Sequence, residues 1–314
     1  MRAAIVERYG PPEVVRVGEE PDPTAEPREV VVRVRATAVT SGDARIRAAR
    51  FPPGFSVPGR LALGLRRPRR AVLGAALSGV VEAVGRDVEG LAPGDEVAGM
   101  TGTRMGAHAE LAAVAAKKLV AKPAAVSHED AAGVLFGGTT ALHFLRRAGV
   151  GAGTEVLVNG ASGAVGTNAV QLASDLGATV TGVTSGANTV LVTGLGATHV
   201  LDHTKGELAS TAERFDVVFD AVGNLTVASG RRLLRPGGVL VLAVASLRDT
   251  VLPRRGVITG VSSEKAENVA HLLDLVAAGR LTVVRGEALS LDDIVEAHRL
   301  VDTGHKVGNV VVHP

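Results

Sequence analysis

The chain has 314 residues, of which 46% are hydrophobic and 2% aromatic, and its formal net charge is +2 at pH 7. This length and apolar content predict two domains, or one large domain, with a packed core. Cysteine is absent, which excludes disulfides, thiolate nucleophiles and cysteine-bearing zinc sites. The scarcity of aromatic residues argues against a base-stacking surface for nucleic acid.

The N-terminal stretch MRAAIVERYG lacks the apolar core of a signal peptide, and no apolar run approaches membrane-spanning length. We therefore expect a protein that is neither exported nor embedded in a membrane, and we predict a cytoplasmic location. The expected partner is a small molecule rather than a nucleic acid.

Residues 1 to about 120 predict a β-rich lobe. Short apolar or alternating runs recur at residues 3–6, 14–17 and 30–39, with proline-rich turns between them. In the third run, Arg33 and Arg35 share one face and the valines occupy the other. Residues 51–68 are rich in proline, glycine and arginine, and this composition predicts a loop over a cleft.

A helix is predicted to begin after Ser127, whose side chain can cap it, with Glu129 and Asp130 in the first turn. It should cover residues 131–136 and stop at a Gly-Gly-Thr-Thr segment. A second helical stretch is then predicted to continue through residue 147.

The most informative stretch is EVLVNGASGAVGTNAVQLASDLG at residues 155–177. An apolar run ends at Asn159, and apolar residues then recur at helical spacing. Between the run and the helix lies an A-x-G-x-x-G turn that ends at Gly166. Small residues at such a turn let backbone N–H groups approach a pyrophosphate, and the helix N-terminus behind them favours its negative charge. The alternative is a tight strand–helix connection with no ligand.

Further apolar runs follow at residues 179–183, 198–201, 215–219 and 239–244, separated by glycine-rich or helical segments. This series is typical of parallel strands in a doubly wound sheet, so we predict an α/β Rossmann fold beside the β-rich lobe. The C-terminal part predicts helices over residues 264–278 and 291–301 and a closing strand at residues 310–312.

The order of these motifs resembles the zinc-independent quinone oxidoreductase branch of the medium-chain dehydrogenase/reductase superfamily. The matching segments, in chain order, are ALSGVVEAVG, PGDEV, GAHAE, GGTTAL, NGASGAVG, DVVFDAVG and RPGG. The resemblance implies a GroES-like substrate lobe at residues 1–122 and 263–314, and a Rossmann domain at residues 123–262. It also implies an NADPH-dependent enzyme that transfers hydride to a quinone or to the C=C bond of an enone or enal.

The sequence departs from the superfamily at the zinc positions. Thr40 stands where zinc-dependent relatives have cysteine, and Ala75 and Ala76 stand where they have histidine and glutamate. We therefore predict no catalytic metal. The resemblance also implies a possible homodimer. The segment at residues 248–261 is shorter than the usual segment of the family, which argues against a dimer built through it.

The resemblance singles out three residues as catalytic candidates. Thr40 and Asp43 lie in the segment that matches the active-site loop of the family, and Asp43 could equally serve as a turn cap. His108 replaces a frequent tyrosine at the edge of the cleft, and a histidine can pass a proton near neutral pH. The alternatives for the proton are solvent as the donor and a packing role for His108.

The cofactor-binding residues are also predicted from the family positions. Thr140 matches a residue near the nicotinamide amide, although a hydroxyl bonded to its own helix is the alternative. His203 matches a position near the adenosine phosphate. The full predicted set is Thr140, Gly160, Ala161, Ser162, Gly163, Ala164, Val165, Thr184, Ser185, Asn188, His203, Val222, Ala243, Val244 and Asn309.

The strand after the glycine turn predicts which cofactor binds. NAD-specific proteins place an acid near its end, but no acid occurs here between Asp175 and Asp202. Neither lysine nor arginine occurs from Asn159 through Thr204, so the preference for NADPH should be moderate. Two other functions stay open: a carbonyl reductase or alcohol dehydrogenase, and an NADPH-binding protein without turnover.

Overall fold

The computed structural model describes residues 1–206, 208 and 211–314, and its elements form three sheets. The N-terminal elements are β1 (Arg2–Val6), β2 (Val15–Glu19), β3 (Glu29–Val39), α1 (Ser41–Ala48), α2 (Ser56–Leu63), β4 (Ala76–Val84), β5 (Glu96–Met100), β6 (Leu111–Ala115) and β7 (Leu119–Ala121). The central elements are α3 (His128–Ala148), β8 (Glu155–Asn159), α4 (Ala164–Asp175), β9 (Thr179–Thr184), α5 (Thr189–Gly194), β10 (His199–Asp202), β11 (Phe215–Asp220), α6 (Val227–Arg231), β12 (Leu234–Leu242), α7 (Leu247–Val251) and β13 (Val257–Ile258). The C-terminal elements are α8 (Ala266–Ala277), β14 (Leu289–Ser290), α9 (Ile294–Asp302) and β15 (Val310–His313).

The N-terminal lobe is built around a sheet of order β14-β15-β3-β4-β5-β7, with β6 paired to β3 as well. Its strands are antiparallel except for the β14–β15 pair. Along β3 the alternation is as predicted, because Val32 and Val34 are buried whereas Arg33 is exposed and pairs with Glu82. The two C-terminal strands therefore complete the lobe that the first third of the chain begins.

The central domain has a parallel sheet of order β10-β9-β8-β11-β12-β13, with helices on both faces. The strand order reverses between β8 and β11, and in such sheets ligands bind at the carboxyl ends of the strands beside this switch point. Both predicted parts of the fold, the Rossmann sheet and the β-rich lobe, are confirmed.

Two predicted elements differ from the structure. The stretch 51–68 is not only loop, because it contains the helix α2, which buries none of its residues. The predicted break after residue 136 is wrong, because α3 is one continuous helix of 21 residues. A Cβ on Gly137 would lie 2.2 Å from the backbone O of Ala164, so the glycine allows α3 and α4 to pack closely.

The segment that follows the parallel sheet contributes to both parts of the molecule. Helix α8 packs on α3, while α9 contacts α1 and β15 in the lobe. The shortened segment contains α7 and the two-residue strand β13, which forms one edge of the parallel sheet. The domain boundaries at residues 122/123 and 262/263 stay a prediction. No helix in the described part of the chain is long and apolar enough to cross a membrane.

Candidate active site

A cleft of about 1130 Å³ lies at the carboxyl ends of the parallel strands. The glycine turn after β8 and the ends of β9 and β11 form its Rossmann side. The end of β3, helix α1 and residues 301–306 form much of the rest. A smaller pocket of about 340 Å³ adjoins it, and Arg45, Arg50 and Val222 line both cavities.

The glycine turn is shaped for a close approach from the cleft. Gly160 has a φ of +82°, a conformation that other residues rarely adopt. A Cβ on Gly166 would lie 2.0 Å from the backbone O of Gly160, whereas a Cβ on Gly163 would meet nothing closer than 3.5 Å. No side chain caps the start of α4 at Gly163, so the first backbone N–H groups of the helix are available to a pyrophosphate.

A network of hydroxyl and amide groups lies beside this turn. The Oγ of Ser162 accepts hydrogen bonds from Thr184 Oγ1 at 2.9 Å and from Asn188 Nδ2 at 3.3 Å, and Asn188 Nδ2 also lies 3.2 Å from Ser185 Oγ. These polar groups suit the adenosine end of a dinucleotide, and a 2′-phosphate would meet hydroxyl and amide groups there.

The carboxylate of Asp202, which the sequence pattern did not indicate, lies close to Gly186, the residue after Ser185. Asp202 accepts hydrogen bonds from the backbone N and side chain of Thr204, which lower its pKa. An Oδ of Asp202 lies 2.6 Å from where a Cβ on Gly186 would stand. Because its negative charge repels a phosphate, Asp202 should weaken the binding of a 2′-phosphate in this region.

Lys306 lines the cleft, although no motif in the sequence indicated it. Its ammonium donates to the backbone O of Gly308, and the backbone N of Gly308 donates to Ser162 O at 2.9 Å. Burial lowers the pKa of Lys306 to about 8. A cation thus borders the glycine turn, and a bound phosphate would favour its charged form.

The structure places Thr40 in the cleft wall, but Asp43 is buried behind it. The two residues form a capping box at the start of α1: Thr40 Oγ1 donates to Asp43 Oδ2 at 2.6 Å, and Asp43 N donates to Thr40 Oγ1 at 3.2 Å. Asp43 also accepts from the backbone N of Thr40 and Gly74. Its carboxylate is therefore occupied in holding the loop and helix together and does not face the cleft.

His108 does not line the cleft either. Its side chain is 1% exposed, its Nε2 lies 3.1 Å from the carbonyl O of Ala38, and its ring packs edge-on against His298 at 6.0 Å. This placement corresponds to the packing role that the sequence analysis left open. A catalytic role for His108 stays a prediction that the geometry does not support.

Most of the predicted cofactor residues come together around the cleft. Those that line it are Gly160, Ser162, Gly163, Ala164, Val165, Thr184, Ser185, Asn188, His203, Val222 and Asn309. Val244 lines the smaller pocket, whereas Ala161 is fully buried and Ala243 lines neither cavity. Thr140 lies outside both linings, and its Oγ1 donates to the backbone O of Phe136 at 2.7 Å, as in the alternative given for it.

The positions that hold zinc in related enzymes carry no metal ligands here. Thr40 caps a helix, and Ala76 is fully buried in β4. Within the described ranges, histidine, aspartate and glutamate form no group of three or more that could hold a metal ion.

A nicotinamide dinucleotide fits the cleft, since the glycine turn, the uncapped helix and the polar network form a cradle at the switch point of a Rossmann sheet. The fold and this cradle define an NAD(P)H-dependent oxidoreductase with a GroES-like lobe.

Comparisons with known proteins agree with this class. Two family models match: the alcohol dehydrogenase GroES-like domain over residues 26–124, and the zinc-binding dehydrogenase over residues 195–312. The chain is 31% identical to 2-methylene-furan-3-one reductase of Solanum lycopersicum, over 91% of this chain and 72% of that protein. It is 29% identical to the chloroplastic NADPH-dependent alkenal/one oxidoreductase of Arabidopsis thaliana, over 100% of this chain and 80% of that protein.

Among solved structures, the quinone oxidoreductase of Coxiella burnetii superposes with a TM-score of 0.90 at 27% identity, covering 100% of this chain and 99% of that chain. The protein belongs to the medium-chain dehydrogenase/reductase superfamily, in its zinc-independent quinone oxidoreductase branch.

Proposed function

We propose that the protein is an NADPH-dependent reductase of quinones or of activated C=C bonds in enones and enals. The observation that carries the proposal is the continuity of one cleft from the glycine turn to the lobe wall at Val39 and Thr40. A cofactor on the turn and a substrate against the lobe would share this space. The names of the similar reductases support the same substrate classes.

The residues of the chain would act mainly by binding and orientation. The cofactor, when bound, supplies the hydride. The turn from Gly160 to Val165 and the start of α4 would hold its pyrophosphate, while the lobe wall excludes water from the reacting carbon. Thr40 Oγ1 already donates to Asp43, so it shapes the wall rather than donating a proton. Because Asp43 and His108 are buried, we assign the proton on the α-carbon to solvent.

A substrate panel tests this function. With quinones or enones, the protein should oxidise NADPH, which is followed as a loss of the nicotinamide absorbance. Simple aldehydes should stay unreacted. Consumption with aldehydes alone would favour a carbonyl reductase. A protein that binds NADPH tightly but reduces none of the three classes would be a binding protein without turnover. Dimerisation, the cytoplasmic location and the absence of nucleic-acid partners stay predictions.

The activity is expected to be indifferent to strong chelators. The residues at the zinc positions, Thr40, Ala75 and Ala76, offer neither imidazole, thiolate nor carboxylate. Assays before and after prolonged dialysis against a chelator should agree within error. Elemental analysis that finds about one zinc per chain, lost together with activity, would contradict this prediction.

Preference for NADPH over NADH is expected to be roughly ten- to a hundred-fold, or about 1.4 to 2.8 kcal/mol. Ser185 lines the cleft where the second strand ends, and the sequence places no acid at the end of that strand to accept a ribose hydroxyl. The nearby Asp202 carboxylate already accepts hydrogen bonds from Thr204. Ser185→Asp should reverse the order of affinities, because its carboxylate would repel the phosphate and accept from the ribose. Calorimetric affinities for NADP⁺ and NAD⁺ measure this, with Ser185→Asn as the uncharged control. Tighter binding of NAD⁺ by the parent protein would refute the placement of the phosphate.

A further inference from the structure

Arg45 is a cleft residue with an unusual environment. It lies on α1, is half-buried, and lines both the main cleft and the adjoining smaller pocket. Its neighbours Arg47 and Arg50 both pair with Asp302. Across the described residues, in contrast, the guanidinium of Arg45 has neither an ion pair nor a hydrogen bond.

The nearby carboxylates are already engaged. Asp302 forms ion pairs with both Arg47 and Arg50, and Arg47 is fully buried. Asp249, which lines the smaller pocket, accepts from Arg254 at 2.8 Å and from Ser246 at 2.7 Å. The residues that line both cavities therefore carry an excess of positive charge.

This charge is costly to keep without a partner. Burial, and then the like charge of Arg50, lower the pKa of Arg45. An anion seated against the guanidinium would offset both effects through charge-assisted hydrogen bonds. Apart from Arg45, Arg50 and Asp249, the residues that line the smaller pocket are apolar or neutral; they include Phe51, Pro52 and Leu242, which suit a short carbon skeleton.

Building on the proposed reductase function, we propose that the substrate is an α,β-unsaturated carbonyl compound that also carries a carboxylate, and that Arg45 binds this carboxylate. The carboxylate is unchanged by the reaction. The C=C bond becomes a single bond as its β-carbon gains the hydride of NADPH, which leaves as NADP⁺, and its α-carbon gains a proton from solvent. Arg45 is thus a residue that positions the substrate and selects for its charge.

A matched pair of substrates tests the proposal: 4-oxopent-2-enoate and its methyl ester, each reduced with NADPH. The ester is the more electron-poor alkene, so preference for the acid cannot come from intrinsic reactivity. The parent protein should prefer the acid in kcat/KM by roughly ten- to a hundred-fold, as expected for one charge-assisted contact. Arg45→Gln should lose this preference while its kcat/KM for the ester stays within about twofold.

Variants of other arginines provide the comparison. Arg45→Lys should restore part of the preference, because it keeps the charge but not the fork of donors. Arg50→Gln should reduce the preference for the acid less than Arg45→Gln does, since Arg50 is largely exposed and already paired with Asp302. Arg86→Gln, at an arginine that is 83% exposed and outside both cavity linings, should leave both substrates unaffected.

A binding measurement separates this proposal from the reductase function. In calorimetry with NADP⁺ present, 4-oxopentanoate should bind the parent at least tenfold more tightly than its methyl ester, and Arg45→Gln should abolish the difference. If 4-oxopentanoate binds in this way but no alkene is reduced, the anion site stands and the reductase function fails. If both alkenes are reduced equally and Arg45→Gln changes neither rate, the reductase function stands and the anion site is refuted. Loss of NADP⁺ affinity in Arg45→Gln, with unchanged 4-oxopentanoate binding, would assign Arg45 to the cofactor and overturn the proposal.

Discussion

Gly166→Ala is expected to destabilise the fold strongly. Gly163→Ala, in contrast, should leave the fold intact and weaken the binding of the cofactor. A Cβ on Gly166 would lie 2.0 Å from Gly160 O and 2.8 Å from Ala161 Cα, and these backbone atoms cannot move aside as a flexible side chain can. We expect a loss of about 3 kcal/mol or more in the free energy of unfolding.

Gly163 differs because it borders space rather than backbone. Its φ of −80° and ψ of 174° are open to any residue, and an added Cβ would lie 3.5 Å from its nearest neighbour. Gly163→Ala should therefore change the unfolding free energy by less than about 1 kcal/mol. Its methyl group would stand where the pyrophosphate approaches the helix start, so affinity for NADP⁺ should fall by about tenfold or more.

Chemical denaturation without ligand and calorimetric titration with NADP⁺ measure the two effects separately. Gly151→Ala is the matched control, because nothing lies within 4 Å of its Cβ position and it is not among the cleft residues. If Gly166→Ala were as stable as the parent, the geometry of the turn would be wrong. Parental NADP⁺ affinity in Gly163→Ala would mean that the pyrophosphate does not approach this turn.

The central sheet could be predicted from the sequence because buried parallel strands are continuous apolar runs. The run at residues 215–219 illustrates this, since β11 covers Phe215–Asp220. The glycine-rich segment of α3 could not, because its helical state depends on distant packing. Gly138 lies in this helix, and a Cβ there would come within 2.9 Å of Leu272 on α8. Tertiary contact thus overrides the low helix propensity of glycine.

The predictability of the candidate site differs in the same way from residue to residue. The glycine turn is a local motif, so its place in the cleft followed from its spacing. The role of Asp43 was also local: Thr40 and Asp43 have the spacing of a capping box, and that signal was available. Arg45 and Lys306 carry no motif, and only the meeting of α1 and the chain after α9 with the glycine turn brings them to one cleft.

Buried His298 leads to the second large prediction, a loss of stability in acid that one substitution removes. The ring is fully buried on α9, the helix whose Ile294 and Val301 belong to the lobe core, and neither of its nitrogens has a hydrogen-bond partner within the described chain. Burial, and then the charges of His108 and Arg47, lower its pKa to about 2.

The direction of the pH effect follows from proton binding. In the unfolded chain a histidine binds a proton below a pKa of about 6.5, whereas folded His298 stays neutral down to a pKa of about 2. The unfolded state therefore holds about one more proton across this window, and stability falls as the pH falls. Between pH 7 and pH 4 this one group should cost about 3 kcal/mol of unfolding free energy.

His298→Leu should remove this dependence, because leucine does not titrate and suits the surrounding aliphatic core. At pH 7 the variant should be at least as stable as the parent, since two buried nitrogens without partners are lost. Urea unfolding measured from pH 7 to pH 4 gives the free energy of unfolding of parent and variant at each pH. The difference between these two free energies should grow as the pH falls, with the slope expected for about one proton. His271→Gln, at an exposed histidine of α8, should run parallel to the parent. Parallel curves for His298→Leu and the parent would show that folded His298 takes up its proton as an exposed histidine does.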